Sequence, residues 1–168
     1  MTTIAFDGKT LATDSLITYG DMRAGYVNKI SKVIGGVFAS AGNQEDGAAA
    51  VAWFNTGRKD PRPTLSALIG LFIPSDGSAP QEFNEKLVPM AIPNFPWVAG
   101  TGKNFALAAM LAGKDAAEAV RIAIQLDIYS GGDVNCYEMD KQHHYSVATS
   151  LDLDSWSRSA AAESGKIN

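Results

Sequence analysis

The first residues of the chain could supply a nucleophile and a base from one position. The sequence opens Met-Thr-Thr, and an initiator methionine before a small residue is normally removed, which would give Thr2 a free α-amino group beside its hydroxyl. Such a hydroxyl can attack a carbonyl carbon while the amine, with a reference pKa of about 7.7 to 8.0, holds the proton near neutral pH. These two groups together predict acyl-transfer chemistry at Thr2.

Chemistry of this kind needs three supporting groups, and the sequence offers each of them. A cation favours the ionised hydroxyl, a carboxylate orients the cation, and backbone N–H groups stabilise an oxyanion. Asp14 follows the first β-rich segments, Lys29 lies in NKISKV at the start of a later strand, and the bend SAGNQ can present the Gly42 N–H before a helix. On composition alone, Asp14 and Lys29 would instead be ordinary surface charges.

The segment that carries Thr2 is predicted to be a β-hairpin. Two short β-rich runs, TTIAF and KTLATDS, flank an Asp-Gly pair, which is typical of a tight hairpin turn. A two-residue turn would place Thr2 opposite Thr13, and a three-residue loop would place Thr2 opposite Asp14. Both registers bring Asp14 close to the start of the chain, and the sequence does not decide between them.

The remaining patterns predict more strands than helices. Phe105, Met110 and Leu111 are expected to share one side of the second helix, and Ala117, Val120, Ile124 and Asp127 are expected to share one stripe of the third. Because hairpins join many of the strands, we expect an α+β fold in which two mainly antiparallel sheets lie face to face with helices outside. The predicted strands are residues 30–33, residues 37–40, LSALIGLFIP, EFNEKLVPMAI, FPWVAG and DVNCYEM, and the predicted helices are the segment between Asp46 and Arg58, KNFALAAMLAG and KDAAEAVRIAIQLDIYSGG.

Length and composition indicate one globular domain. The chain has 168 residues, a net charge of -4 and one cysteine, Cys136, which we expect in the core. The acidic balance argues against nucleic acid as a partner, and the absence of a long apolar run argues against a membrane span, so we expect a cytoplasmic protein. Residues 1–140 are predicted to form the body of the domain, and residues 141–168 to add a C-terminal strand and a flexible tail.

Four stretches of the sequence, in this order, resemble the proteasome β-subunit family and in particular its bacterial HslV-type peptidases. They are TTIAF, LATDS with NKISKV, FASAGNQEDGAAA, and VAGTGKNFALAAMLAG leading into LDIYSGGDVNCYEM, and they extend from Thr2 to about Met139. The resemblance implies a four-layer αββα sandwich of the N-terminal-nucleophile hydrolase class. It further implies a threonine-type endopeptidase that cleaves peptide bonds through an acyl-enzyme.

The resemblance also implies roles for single residues. Thr2 is similar to the nucleophile of the family, and its α-amine, once Met1 has been removed, is similar to the general base. Asp14 and Lys29 match the carboxylate–cation pair that lowers the pKa of the hydroxyl. Lys32, three residues further along, is the competing cation, and the NKI context favours Lys29.

Further positions match the groups around that nucleophile. Gly42 is similar to the residue whose N–H forms the oxyanion hole. Asp127 and Ser130 resemble the pair that organises the free amine, with Gly131 allowing a close approach. Thr101 stands where the family has a serine, and it keeps the hydroxyl.

Substrate and cation contacts follow from the same resemblance. A bound peptide is expected to pair its backbone with the strand near Thr18. The hydrolysis requires no cofactor, but a structural monovalent cation is implied. Its ligands would be the backbone carbonyls of Ile124, Asp127 and Ser130, and the side-chain pocket for the peptide would be formed by Ile17, Val27, Ser31, Ser40 and Gln44.

The family further implies a homo-oligomeric ring, a peptide or unfolded-protein substrate, and an ATP-dependent unfoldase as partner. The first hairpin is several residues shorter than in the family, since Asp14 lies only twelve positions after Thr2. An alternative interpretation is a non-catalytic, proteasome-like assembly or protein-binding scaffold. In that case a retained Met1 would block the amine.

Overall fold

The computed structural model describes residues 1–149, which form twelve strands and three helices. The helices are α1 (Gln44–Asn55), α2 (Lys103–Leu111) and α3 (Ala116–Leu126). The strands are β1 (Thr3–Phe6), β2 (Thr10–Thr13), β3 (Leu16–Tyr19), β4 (Met22–Tyr26), β5 (Ile30–Val33), β6 (Gly36–Gly42), β7 (Leu68–Pro74), β8 (Gln81–Asn84), β9 (Met90–Ala91), β10 (Trp97–Gly100), β11 (Val134–Glu138) and β12 (His143–Val147).

Ten of these strands form two five-stranded sheets. The first sheet has the order β10-β1-β2-β11-β12, and the second has the order β5-β6-β7-β8-β9. Neighbouring strands in both sheets are antiparallel. The predicted mixture of antiparallel sheets and few helices is confirmed, while the separate β3-β4 hairpin was not predicted.

The alternation of side chains along β1 and β2 divides the interior into layers. Ile4, Phe6 and Leu11 face the second sheet, where they join a buried cluster with residues of β5, β6 and β7. Ala5 and Ala12, which point the other way, pack against α2 and α3. Burying each large apolar side chain contributes roughly 1.5 to 3 kcal/mol, so the two sheets are held together mainly by this central cluster.

Helices cover the outer faces of both sheets. On the first sheet, α2 and α3 present mostly alanines, which let the helices lie close to the strands. On the second sheet, α1 contributes Trp53 and Phe54, and the Phe54 ring stacks on Phe72 of β7 with centroids 5.0 Å apart. The order of layers is therefore helices, sheet, sheet, helix.

The predicted apolar side of α2 was wrong for two of its three residues. Phe105 is 38% exposed and Leu111 is 72% exposed, whereas Met110 is buried. Ala106 and Ala109 are buried with Met110, so the smaller side chains face the sheet. Phe105 and Leu111 lie outside this contact, because the two alanines let the helix approach the sheet closely beside Met110.

The segment EFNEKLVPMAI forms two strands, β8 and β9, and not the single strand that was predicted. The side-chain oxygen of Asn84 accepts a hydrogen bond from Lys86 N, and the backbone carbonyl oxygen of Asn84 accepts one from Leu87 N. Leu87 then adopts a positive φ of 52° while its side chain is fully buried. This turn interrupts the ladder, since a non-glycine residue in a regular β-strand has a negative φ.

The register of the first hairpin differs from both predicted registers. Ile4 pairs with Thr13 and Phe6 with Leu11, so four residues separate the last two paired residues, and Asp14 N donates a hydrogen bond to Thr3 O at 3.2 Å. Asp14 is consequently adjacent to Thr3, one residue beyond the position predicted by the three-residue loop. Every side chain of β2 is thereby assigned to a defined face.

The carboxylate of Asp7 explains the longer loop. Its Oδ1 accepts hydrogen bonds from Lys9 N at 2.9 Å and Thr10 N at 2.8 Å. Its Oδ2 accepts a hydrogen bond from Ala116 N at the start of α3, at 3.0 Å. An Asp that caps its own turn competes with a two-residue Asp-Gly turn, and here the additional bond to α3 favours the capped form.

The end of the predicted domain is only partly described. β12 lies within the predicted segment 141–168 and pairs with β11 in the first sheet, while the predicted flexible tail lies outside the described residues from residue 150 onwards. None of the helices in residues 1–149 has both the length and the apolar character needed to cross a membrane.

Candidate active site around Thr2

Thr2 lies where β1 begins, against the end of β10. Its carbonyl oxygen accepts a hydrogen bond from Thr101 N at 2.8 Å. Gly100, with a φ of 89°, lies so close that a methyl group at this position would overlap Thr2 O. The neighbouring strand can therefore fix the Thr2 backbone only because residue 100 has no side chain. With Met1 attached, Thr2 is 4% exposed.

Lys29 and the Thr2 hydroxyl converge on one carbonyl oxygen. The Thr2 hydroxyl donates a hydrogen bond to Met1 O at 2.6 Å, and Lys29 Nζ donates one to the same oxygen at 3.1 Å. Lys29 Nζ also donates to Asp14 Oδ1 at 2.8 Å. The structure thus brings Lys29, and not the exposed Lys32, to Asp14 and to the start of the chain.

Asp14 is fully buried, and four hydrogen bonds hold its carboxylate. Oδ1 accepts from Lys29 and from Thr3 N at 2.9 Å. Oδ2 accepts from Leu16 N at 3.2 Å and Gly131 N at 3.1 Å. A buried carboxylate with every acceptor position used is fixed in direction, so it also fixes the ammonium group that it binds.

Burial dominates the electrostatics of this ion pair. It raises the pKa of Asp14 above its ordinary value, although the charge of Lys29 and the backbone hydrogen bonds act in the opposite direction. Burial likewise lowers the pKa of Lys29 below 10.5, with the negative charge of Asp14 opposing the change. Lys29 is therefore a cation that loses its proton more readily than an exposed lysine does.

An α-amine at this site is also shifted toward its neutral form. The pKa of the Met1 amino group is lowered from 8.0, mainly by burial and then by the positive charge of Lys29, with Asp14 and Asp127 opposing. A neutral amine can accept a proton, so the environment around the start of the chain favours a base there.

A second polar group surrounds Asp127, which follows α3 directly. Asp127 Oδ2 accepts hydrogen bonds from Thr101 Oγ1 at 2.6 Å and from Ser130 Oγ at 2.7 Å. Ser130 Oγ lies 2.6 Å from Thr3 Oγ1. Since the hydroxyl hydrogen of Ser130 goes to Asp127, the Thr3 hydroxyl is the donor in the contact with Ser130.

Thr3 is a site residue that the sequence reasoning missed. It is fully buried, its N–H bonds Asp14 and its hydroxyl bonds Ser130, so it links the two polar groups. The alternation of side chains along β1 could have indicated this role, because Thr3 shares the face of Ala5, which packs toward α2 and α3. With α3 leading directly into Asp127, a hydroxyl on that face could be expected to reach the segment after α3.

Gly131 connects the same segment to the loop after β2. Its carbonyl oxygen accepts hydrogen bonds from Ser15 N and Leu16 N, both at 3.0 Å, while its own N–H bonds Asp14. A Cβ at this position would lie 3.2 Å from the Leu16 side chain, so the absence of a side chain at Gly131 lets this segment approach β3 closely. The three bonds hold Asp14 and the Asp127–Ser130 segment in one rigid unit.

Gly42 ends β6 and is exposed, two residues before α1 begins. Its φ of 130° lies in the region that favours glycine, and a methyl group there would overlap Ala67 O. The preceding residue, Ala41, lies beside the β10 end that fixes Thr2, because a Cβ at Gly100 would be 3.5 Å from Ala41 Cβ. The structure therefore places the Gly42 peptide on the same edge as Thr2.

The predicted peptide-binding residues are distributed over several elements. Val27 and Gln44 are exposed, whereas the other four are partly buried. Within the described residues, Thr18 Oγ1 is buried without a hydrogen-bond partner. The pocket stays a prediction; its residues are Ile17 and Thr18 in β3, Val27 just after β4, Ser31 in β5, Ser40 in β6 and Gln44 at the start of α1.

The predicted cation site lies at the end of α3. The Asp127 carbonyl oxygen accepts a hydrogen bond from Ser130 N at 3.0 Å, which leaves a second lone pair available to a monovalent cation. Ile124 lies in the last turn of α3, and Ser130 follows in the next turn of chain. The donor set is all oxygen, which suits such an ion, and the cation stays a prediction.

No close grouping of three or more His, Cys, Asp or Glu side chains that could hold a metal occurs in residues 1–149. Comparisons of the chain with models of known protein families and with curated protein sequences find no match. The site combines a hydroxyl, an ammonium group fixed by a buried carboxylate, and an environment that favours a neutral amine at the chain start.

Proposed function

We propose that the protein is a threonine endopeptidase of the N-terminal-nucleophile class, with the αββα fold of the proteasome β-subunit family. One observation carries the proposal: Lys29 Nζ and Thr2 Oγ1 donate to the same Met1 carbonyl oxygen, at 3.1 and 2.6 Å, while Lys29 is paired with buried Asp14. Removal of Met1 takes away that shared acceptor. The lysine cation and the threonine hydroxyl then remain side by side with a free α-amine.

The reaction follows from these groups. The α-amine of Thr2 takes the hydroxyl proton as Oγ1 attacks the carbonyl carbon of the peptide substrate. The positive charge of Lys29 stabilises the alkoxide character of Oγ1, and the Gly42 N–H donates to the oxyanion that forms. The C–N bond then breaks, the leaving amine receives the proton, and an acyl-enzyme remains.

Water completes the cycle. The neutral α-amine removes a proton from a water molecule, whose oxygen attacks the acyl carbon and releases the product carboxylate and the Thr2 hydroxyl. The Asp127–Ser130–Thr101 group orients the amine for both proton transfers. The pKa of the Met1 amine is lowered mainly by burial and then by the charge of Lys29, and that neighbouring charge would also act on the amine of Thr2.

The wider proposal concerns partners. Peptides or unfolded proteins are the substrates, copies of the chain form a ring in the cytoplasm, and an ATP-dependent unfoldase delivers folded substrates. A monovalent cation on the carbonyls of Ile124, Asp127 and Ser130 would stiffen the segment that carries the amine-orienting residues. These statements depend on the family resemblance of the sequence.

A second candidate function is a non-catalytic scaffold, and one observation favours it. With Met1 in place, the Met1 carbonyl oxygen accepts two hydrogen bonds and Thr2 is 4% exposed, so the site accommodates the uncleaved chain start without an unpaired carbonyl. In this reading Met1 stays attached, and the Asp14–Lys29 pair serves only to hold the strand end.

Hydrolysis of fluorogenic peptides by purified protein separates the two functions. The endopeptidase reading predicts that Thr2→Ala lowers kcat by roughly 10³-fold or more, since removal of a nucleophile removes the covalent route. Thr2→Ser, which keeps a hydroxyl and an α-amine after processing, should retain measurable turnover. Equal activity in Thr2→Ala and the wild type would exclude Thr2 as nucleophile.

A further inference from the structure

The buried carboxylate of Asp46, in the first turn of α1, has no role in the chemistry described so far. It is 9% exposed, and its Oδ2 accepts hydrogen bonds from Ser66 N at 2.9 Å and Ala67 N at 2.7 Å. The same oxygen accepts a longer bond from Asn43 Nδ2 at 3.4 Å. Charge-assisted bonds to two consecutive backbone N–H groups fix the direction of the Ala67 peptide.

Ala67 in turn determines where Gly42 can lie. Its carbonyl oxygen accepts a hydrogen bond from Asn43 N at 3.0 Å and lies directly against the Gly42 Cα, where a methyl group would overlap it. Gly42 is paired in register with the next residue, Leu68. Asp46 therefore holds Ala67 from its N–H side, and the Ala67 carbonyl oxygen bonds Asn43 N and packs against the Gly42 Cα. The N–H of Gly42 belongs to the preceding Ala41–Gly42 peptide, so Ala67 acts on its direction through the position of the Gly42 Cα and the φ of Gly42.

The conformation of Gly42 requires such a restraint. Its φ of 130° belongs neither to the strand that it ends nor to the helix that follows. An exposed glycine can rotate its peptide groups at little cost, so contacts outside residue 42 must fix the direction of its N–H. An oxyanion donor is effective only when it is aimed at the developing charge before the reaction starts.

We infer that Asp46 is a positioning residue for the oxyanion-binding N–H of Gly42, acting through the backbone of Ser66 and Ala67. The inference rests on the proposed peptidase function and names a group that this function needs. Loss of the Asp46 carboxylate leaves the N–H of Gly42 present but less well aimed. We expect kcat to fall by roughly 10- to 100-fold, less than the 10²- to 10³-fold effect of removing an oxyanion donor outright, with KM unchanged.

The test compares Asp46→Ala and Asp46→Asn with the matched control Trp53→Phe. Trp53 Nε1 donates to Asp60 O at 2.9 Å, so the control removes a different anchor between α1 and the same connecting loop, one that does not involve Ser66 or Ala67. Asp46→Asn keeps a neutral acceptor oxygen, so we expect it to fold and to lose less activity than Asp46→Ala. Circular dichroism checks the fold of each variant.

The decisive measurement is the inhibition constant of a peptide aldehyde, determined together with kcat and KM for each variant. Its hemiacetal oxygen would occupy the oxyanion position, so the inhibition constant should rise in proportion to the loss of kcat/KM in the Asp46 variants and stay unchanged in Trp53→Phe. The inference alone would be overturned if the wild type is active and the two Asp46 variants fold but match Trp53→Phe in activity and inhibition. A change in KM only would overturn it as well. A processed wild type without peptidase activity would overturn the proposed function, and the inference with it.

Discussion

Thr3 holds the site together through two different atoms, its amide N–H and its hydroxyl. Thr3→Val keeps the shape of the side chain but removes the hydroxyl donor to Ser130. We expect the free energy of unfolding to fall by about 1 kcal/mol, the usual net value of one buried hydrogen bond. Urea denaturation measures the change, and Thr3→Ser, which keeps the donor, should lose less.

Thr13→Val is the matched control for this prediction. Thr13 is also fully buried, on the neighbouring strand β2, but its Oγ1 has no hydrogen-bond partner within the described residues. Replacing that hydroxyl with a methyl group should leave the stability unchanged or raise it slightly. Equal losses of stability in the two valine variants would show that the Thr3–Ser130 contact contributes nothing specific.

Lys29 should determine the alkaline limb of the pH profile of peptide hydrolysis. The proposed mechanism uses the charged ammonium, which is present below the pKa of Lys29 and lost above it. Because burial lowers that pKa, kcat/KM should decline with rising pH before the ordinary value of 10.5 is reached. The guanidinium introduced in Lys29→Arg does not titrate at these pH values. The alkaline limb of the profile should therefore disappear in this variant, whatever its residual rate. An identical alkaline limb in both proteins would assign it to another group.

At the residue scale, the sequence predicted the Asp14–Lys29 contact and the choice of Lys29 over Lys32, both from the resemblance. It did not predict Thr3 or Asp46. Both act through bonds to residues far along the chain, Ser130 and Ala67, whose proximity depends on sheet register and loop course. Residue type and spacing alone do not contain that information.

The end of β10 is the element on which the position of Thr2 depends most directly. In Gly100→Ala the new methyl group would overlap Thr2 O, so the strand ends must separate. The unfavourable left-handed conformation adds a cost of roughly 1 to 2 kcal/mol. We expect lowered thermal stability together with loss of peptidase activity, measured on the same preparation.

Gly77→Ala separates these two effects. Gly77 also has a positive φ, 80° against 89° for Gly100, but no atom lies within 4 Å of a Cβ placed there. This variant should show the conformational cost alone and keep full activity. If both alanine variants lose the same stability and both stay active, the contact between Gly100 and Thr2 does not position Thr2.

At the scale of elements, periodicity predicted most strands and all three helices of the described residues, but not their exact faces. The first hairpin shows why: the Asp-Gly signal favours a two-residue turn, yet the Asp7 carboxylate caps a longer loop and also binds α3. The face of α2 was missed because Ala106 and Ala109 meet the sheet beside Met110, whereas Phe105 and Leu111 are exposed. Tertiary contacts decided both outcomes.

The position of β11 between β2 and β12 in the first sheet makes Cys136 a probe of the whole molecule. Its side chain is buried, and burial raises the pKa of the thiol to about 11. Because only the thiolate reacts, the native protein should resist a disulfide reagent at neutral pH. Labelling should start in the urea range where circular dichroism reports global unfolding. Rapid labelling of the native state would show that β11 opens locally.

At the scale of the molecule, the antiparallel α+β class could be predicted because hairpin signals and apolar alternation are local. The contact of β1 with β10 joins residues more than ninety positions apart, and no local sequence pattern predicts it. That contact, with the β1–β2 pairing, brings Thr2, Asp14 and Thr101 to one edge of the molecule. The site is thus a product of the sheet order.

An intact-mass spectrum after incubation with a peptide epoxyketone decides whether Thr2 carries both the nucleophile and its base. This reagent forms its ring adduct only with a hydroxyl and a free α-amine on the same residue. We expect a species that lacks Met1 and carries one inhibitor molecule, and no adduct on Thr2→Ala. Unmodified wild-type protein that retains Met1 would contradict the account, since the amine would be blocked and Thr2 could not act as nucleophile with its own base.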